Sequence, residues 1–333
     1  MLTTPRPRAR PARATYTFHD HAPQESSFEA AVVQGLSAPR KSIPFRFLYD
    51  AAGSALFEKI CEQPEYYPTR TEMRILEREA PSIARLAGPR AQLVELGSGA
   101  GQKINLLLDA LTDPAAYISV EISRAALLEA AARLADERPE LDIHAVWADY
   151  STPFALPLRA DAGRVVGFFP GSSIGNFEPA QARNFLSLWA RRLGPDADMI
   201  VGVDLIKPVE VLERAYDDAA GVTAAFSLNL LRRANRELHA DFDLAGFRHE
   251  ARYQAATGAV EIHLVSQCRQ TVHVAGHDFA FAEGERLHIE NSHKYDIEGF
   301  ADLARQAGFQ WHTAWTDPKR WFSVHYLRTP GAL

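Results

Sequence analysis

A glycine turn and three carboxylates are the residues of this chain best placed to hold a ligand. In Leu93-Val94-Glu95-Leu96-Gly97-Ser98-Gly99-Ala100-Gly101 an apolar run ends on an acid. Three glycines follow at alternate positions, and helix-compatible residues begin at Gln102. Glycine lets a backbone turn tightly and lets a ligand approach with no Cβ in the way. Glu121 ends the next apolar run, Tyr117-Ile118-Ser119-Val120, and lies 24 residues past Gly97. Open α/β folds carry near that spacing the carboxylate that accepts two ribose hydroxyls. Asp149 and Tyr150 follow a third apolar run, Ile143 to Trp147. Such positions suit a nucleoside-bearing ligand. The turn alone leaves nicotinamide and flavin cofactors open, since those enzymes use a similar turn spaced for a pyrophosphate.

The spacing G-x-G-x-G with Glu95 two residues ahead resembles the class I S-adenosylmethionine-dependent methyltransferases, in which an acid at the place of Asp149 often faces the adenine amino group. From Gln92 to Asp204 strand and helix patterns alternate, with strands at 92–96, 117–121, 143–147, 164–169 and 198–203. Helical patterns fall at 102–111, 123–137 and 179–193. Such alternation makes a mostly parallel sheet wrapped by helices. A helix over 297–307 then leads to two strands, 309–316 and 321–327, joined by Asp317-Pro318-Lys319. A closing antiparallel hairpin is a methyltransferase feature that nicotinamide Rossmann domains generally lack.

Between Lys207 and Lys294 the pattern changes to one helical stretch, 209–235, and strands at 247–254, 260–266, 270–274 and 286–292. The expected architecture is α/β: a Rossmann-like methyltransferase domain (71–206 and 294–333) with an inserted α+β substrate-binding domain (18–70 and 207–293). Residues 1–17 read as a disordered tail, Pro- and Arg-rich with no hydrophobic signal segment.

The net charge is −6 although the first 15 residues hold four arginines and no acid, so the rest of the chain carries −10. That balance argues against nucleic acid as substrate. No apolar run reaches the ~18–20 residues of a membrane span. Cys61 and Cys268 stand in no metal-ligating spacing and read as ordinary thiols of a reduced, cytoplasmic protein. No metal is expected, and a monomer is.

Four further motifs occur in order. They are Phe47-Leu48-Tyr49-Asp50-Ala51-Ala52-Gly53-Ser54, Pro64-Glu65-Tyr66-Tyr67-Pro68-Thr69-Arg70, Phe169-Pro170-Gly171-Ser172-Ser173-Ile174-Gly175-Asn176 and Glu290-Asn291-Ser292. With the glycine turn they resemble the L-histidine Nα-methyltransferase family of ergothioneine biosynthesis, from about Ser42 to Leu327. The resemblance implies transfer of three methyl groups from S-adenosylmethionine to the α-amine of L-histidine, giving hercynine. It implies that Tyr66 and Tyr216 hold the substrate carboxylate. Asn176 and the Gly171 carbonyl would hold the amine, with Tyr49 nearby, so Tyr49 and Asn176 stand closest to the chemistry. Glu290 and Ser292 would hold the imidazole. Gly97, Gly99, Lys103, Glu121, Asp149 and Tyr150 would hold the cofactor, Lys103 by reaching its methionine carboxylate. Ile262 departs from the methionine expected in the strand beside the imidazole, which bears on pocket size. Another aromatic amino acid, such as tryptophan, is the rival substrate, and a nicotinamide-dependent oxidoreductase the rival class.

The chemistry accounts for these residue types. The nucleophile is the free amine, so neutral acceptors suit it, whereas a carboxylate would hold it protonated. A neutral imidazole has one donor and one acceptor nitrogen, which a carboxylate and a hydroxyl can match. Strict alternation along a strand would put His288, Glu290 and Ser292 on one face, Leu287, Ile289 and Asn291 on the other, and His288 and His293 on opposite faces.

Overall fold

The computed structural model describes residues 15–22, 27–97 and 101–331. Gly99, with its two neighbours, lies outside the described residues, as does the tail through residue 14. An eight-stranded sheet runs through the described residues. Its members are β1 (Thr17–Asp20), β2 (Gln92–Leu96), β3 (Ala116–Glu121), β4 (Ile143–Trp147), β5 (Val165–Phe169), β6 (Asp198–Asp204), β12 (Gln310–Thr316) and β13 (Phe322–Arg328), in the order β1-β4-β3-β2-β5-β6-β13-β12. The first six are parallel, and β13 and β12 close the sheet as an antiparallel hairpin.

Helices cover both faces, so the central strands are buried on both sides and read as continuous apolar runs. One face packs α3 (Tyr67–Ala87), α4 (Gln102–Ala110) and α5 (Arg124–Glu137) through Ile75, Leu107 and Leu127 against Leu93, Phe168 and Ile200. The other packs α6 (Pro179–Leu193) and α9 (Ile297–Gln306) through Trp189 and Phe300 against Val94, Ile118 and Val201.

A third core joins α1 (Phe28–Ser37), α2 (Ala51–Glu62), α7 (Val209–Tyr216) and α8 (Val222–Glu237) to β7 (Phe247–Gln254), β8 (Ala259–Ser266), β9 (Gln270–Val274), β10 (His277–Phe281) and β11 (Arg286–His293). Strands β11, β8 and β7 form an antiparallel sheet, and β9 and β10 a hairpin. The β10 strand has no counterpart in the sequence reading.

Three expectations are corrected here. Residues 17–20, placed in part in the tail and in part with the substrate region, pair in parallel with β4 at the edge of the large sheet. The division at residue 70 falls inside α3, whose side chains from Ile75 onward pack against that sheet. The single helix over 209–235 is two helices. Gly221 turns at φ +72°, and Asp218 accepts from the N–H groups of Val222 and Thr223 at 2.9 and 2.7 Å. An acid satisfying orphan N–H groups starts a new helix. The break leaves Tyr216 at the end of α7, facing the site.

Candidate active site

A cavity opens between the carboxyl ends of β5 and β6 and the third core. Its wall contains Tyr49, Tyr66, Gly171, Asn176, Tyr216, Ile262, Glu290 and Ser292. Every residue that the resemblance implied for the substrate therefore lines one space. Phe57, Phe226, Ser227 and Thr223 complete much of the remaining wall.

The local sequence explains the placement. Tyr49 lies directly before α2, where Asp50 accepts from Gly53 N–H at 2.8 Å and from Asn229 Nδ2 at 2.8 Å. That cap ties α2 to α8 and fixes Tyr49 against Phe57 and Phe226. Tyr66 precedes α3, in a turn clamped by Arg70, which donates to the carbonyls of Gln63, Pro64 and Tyr66 at 2.7, 2.7 and 3.1 Å. Gly171 follows β5 and leads into a single 3-10 turn, Ser173–Asn176. Gly175 must lack a side chain, since a Cβ there would sit 2.7 Å from the His293 carbonyl. This close approach brings Asn176 beside β11.

Strand β11 departs from simple alternation. Its register against β8 shifts between His288 and Glu290, so Ile289 is an extra residue. A bulge reverses the faces beyond it. Glu290 and Ser292 stand opposite Ile262 and Val260, while His288 stands opposite His263 and bonds Asn291 Oδ1 at 2.8 Å. His288 is therefore on the face of Asn291, away from Glu290, contrary to the alternation argument. The same reversal returns His293 to the face of His288. Asn291 donates to Glu178 Oε1 at 2.7 Å, and His293 Nε2 lies 3.5 Å from Glu178 Oε2, so this outer face docks on the start of α6. Among the described residues no cluster of His, Cys, Asp and Glu could hold a metal.

Glu290 is half-buried, and burial pushes its pKa up to about 7 while the Lys294 charge pulls the other way. Burial also raises the hydroxyls of Tyr49 and Tyr66 well above the usual tyrosine value, so both are neutral donors and acceptors at working pH. Tyr216 bonds Ser292 Oγ at 2.7 Å and accepts from Lys294 Nζ at 2.8 Å.

On the other side of Gly171 stand the residues expected to hold the cofactor. Gly97 turns at φ +72°, a conformation that favours glycine. Glu121 ends β3 and accepts from Ser123 N–H at 2.9 Å. Asp149 Oδ1 accepts from the N–H and hydroxyl of Ser151 at 2.8 and 2.6 Å, which steadies the carboxylate beyond β4. Tyr150 lies between Phe169 and Phe185 and near Gly97. Two strand-end carboxylates flanking a glycine turn fit the ribose and adenine of S-adenosylmethionine. Lys103 is already paired, 2.5 Å from the fully buried Glu72. Glu72 also accepts from Gly171 N–H at 2.9 and 3.1 Å, linking the two halves of the site. Glu95 lies beneath the turn, accepts from Tyr117 Oη, and burial pushes its pKa up to about 8.

Sequence reasoning missed Glu72, Asp204, Lys207 and Lys294. Asp204 and Lys294 had a signal: one ends β6 at the carboxyl edge where such folds bind ligands, and the other follows Ser292 by two residues. Glu72, inside a long helix, had none.

The parallel sheet, its closing hairpin and the glycine turn define a class I S-adenosylmethionine-dependent methyltransferase. The sequence model of the histidine-specific, S-adenosylmethionine-dependent methyltransferases matches residues 28–329, and the chain belongs to that family. It is 40% identical over 312 residues to the histidine N-alpha-methyltransferase of Mycolicibacterium smegmatis, covering 91% of this chain and 96% of the relative. The enzyme of the same name from Mycobacterium tuberculosis is 37% identical, over 86% of this chain and 90% of its own. Ergothioneine biosynthesis protein 1 of Neurospora crassa is 29% identical over 83% of this chain, which spans 32% of that longer protein. A nicotinamide-dependent oxidoreductase is thereby set aside. Among the described residues no helix is long and apolar enough to cross a membrane.

Proposed function

We propose that the protein methylates the α-amine of L-histidine three times, giving hercynine. Glu290 carries this reading: a carboxylate in the cavity wall whose environment is burial and a lysine charge, with no hydrogen-bond donor among the described residues. A ring N–H supplies what it lacks. In the same cavity wall, Asn176, the Gly171 carbonyl and Tyr49 offer neutral oxygens to the amine. They orient its N–H groups without holding it as a salt-bridged ammonium, so the lone pair stays available. S-adenosylmethionine, when bound at the glycine turn, supplies an electrophilic sulfonium methyl. Gly97, Glu121, Asp149 and Tyr150 hold its nucleoside, and Lys103 shares its charge between Glu72 and the methionine carboxylate. Each turnover releases a proton from the amine, which solvent can take.

The division of labour follows the cores, with the large sheet carrying the cofactor side and the third core as the substrate-binding region. In this reading the protein acts as a monomer, and the free thiols of Cys61 and Cys268 suit a reducing cytoplasm. The aromatic wall that Tyr49 forms with Phe57 and Phe226 favours one rival, another aromatic amino acid such as tryptophan. The test is incubation with S-adenosylmethionine and each common amino acid, with products read by mass. Histidine should gain about 42 mass units, the equivalent of three methylenes, at an amine held by proximity. Methylation of tryptophan in preference to histidine overturns the substrate, and arrest at one methyl group overturns the trimethylation.

A further inference from the structure

Lys294 lies two residues past Ser292, is fully buried, and has all three ammonium protons engaged. It donates to Asp204 Oδ2 at 2.8 Å, Tyr216 Oη at 2.8 Å and Ser292 Oγ at 2.7 Å. Burial opposes its charge, yet Asp204 and then Tyr216 raise its pKa above the usual lysine value. It therefore stays charged and leaves no N–H for a ligand. What it does instead is occupy a lone pair on each of the two hydroxyls that face the cavity.

We infer that Lys294 is a positioning residue that makes Tyr216 and Ser292 present protons to the substrate, so that the pocket takes a neutral ring nitrogen beside a carboxylate and rejects an imidazolium. This rests on the reading that Glu290 and Ser292 face the ring. A serine hydroxyl can ordinarily donate or accept. Here Lys294 Nζ, Tyr216 Oη and Ser292 Oγ are mutually 2.7–2.8 Å apart. Two oxygens accept from the ammonium, and one of the two hydroxyl protons lies between them until a substrate enters. Tyr216 then turns its proton to the carboxylate and Ser292 to the unprotonated nitrogen, while Glu290 accepts from the other. A second ring proton would point at an oxygen already backed by a cation.

The groups around Lys294 are Asp204 at the end of β6, Lys207 in the loop after it, Tyr67 on α3, Tyr216 on α7, and Glu290 and Ser292 on β11. Tyr67 donates to Asp204 and accepts from Lys207 at 2.7 Å, so Asp204 keeps a partner when Lys294 is removed. That makes Lys294→Met a tolerable test. Histidine titrates near pH 6.5, and a group required in one form adds about tenfold per pH unit to the acid limb of kcat/KM. In the wild type, ring and Glu290 both contribute below pH 6. Lys294→Met should lose the ring's share, falling about tenfold less per pH unit, with KM raised and kcat at pH 8 little changed. S-adenosylhomocysteine affinity should be unchanged and reports folding. Ser292→Ala, with Lys294 intact, should flatten the limb by the same amount, and the double variant should flatten it no further. An unchanged acid limb in either single variant overturns the proposal, and Ser292→Ala keeps it decidable if Lys294→Met does not fold. Unchanged histidine KM in both Ser292→Ala and Glu290→Ala would instead sink the underlying placement of the ring.

Discussion

Two buried ion clusters flank the site, and they differ in balance. Beside the glycine turn, one acid meets one lysine: Glu72 pairs with Lys103, whose side chain keeps 18% of its surface exposed. Under the substrate cavity, one acid meets two lysines, with Asp204, Lys207 and Lys294 all essentially closed to water. The first cluster is neutral and partly wet. The second holds two cations on one directly bonded acid, with Asp317 and Glu290 as more distant counter-charges, in a place where charge is costly to bury. Burial lowers Lys207 to about 8, opposed by Asp204, whereas Lys294 is held up. A cluster with two cations on one bonded acid suits a wall that receives an anion, and the substrate carboxylate is the anion that the proposed function brings there.

The largest effect should come from Asp204. Asp204→Asn removes the counter-charge of both lysines, and breaking a buried pair costs about 3–5 kcal/mol. Denaturant unfolding at pH 7 measures it. Burial alone would raise the Asp204 carboxyl, but Lys294 and Lys207 hold it below the usual range. Its contribution is thus full above the unfolded-state value of about 3.9 and is lost as pH falls through the lower folded value. Glu72→Gln should cost less, about 1–3 kcal/mol, since the new amide oxygen still accepts from Gly171 N–H and Lys103 can reach water. Equal costs would break the comparison between the clusters.

Legibility divides along the same line. The cofactor side was readable because each device is local: a strand, a glycine turn, an acid at the next strand end, a hairpin at the close. On the substrate side the motifs named residues that share one cavity, Tyr49, Tyr66, Asn176 and Glu290 among them. Their support was not readable. The bulge at Ile289 is an insertion in a ladder, visible only against β8, and it moved His288 off the expected face. Asp204 and Lys294 are 90 residues apart in sequence, and nothing local pairs them. Thr17–Asp20 was missed for a related reason, because a short edge strand is defined by its partner β4.

Next in size is Glu290→Ala. A hydrogen bond to a charged group contributes about 1.5–3 kcal/mol, so kcat/KM for histidine should fall roughly ten- to a hundredfold. Discrimination against tryptophan should weaken in parallel, because the lost group served a donor–acceptor ring. S-adenosylhomocysteine binding, measured by calorimetry, should barely move. An unchanged histidine kcat/KM would return Glu290 to a merely structural strand position and leave Lys294 without a ring to select.

The smallest effect should come from Glu95→Gln, and its sign separates burial from binding. Burial first, against the bond from Tyr117 and the charge of Lys103, pushes the Glu95 carboxyl up to about 8. The unfolded chain releases that proton at about pH 4.3, whereas the folded chain keeps it until about 8. Between these values the native state binds more protons, so stability contributed by Glu95 is greatest at low pH and declines as pH rises through the window. A glutamine amide in its place would have the shape of the protonated acid and still accept from Tyr117. The substitution should therefore leave stability at pH 5 nearly unchanged and flatten the decline toward pH 8. Thermal unfolding of both proteins across that range measures it. A variant less stable than the wild type by the same amount from pH 5 to pH 8 would mean that Glu95 is ionised and held by Lys103, joining the neutral cluster as a second acid.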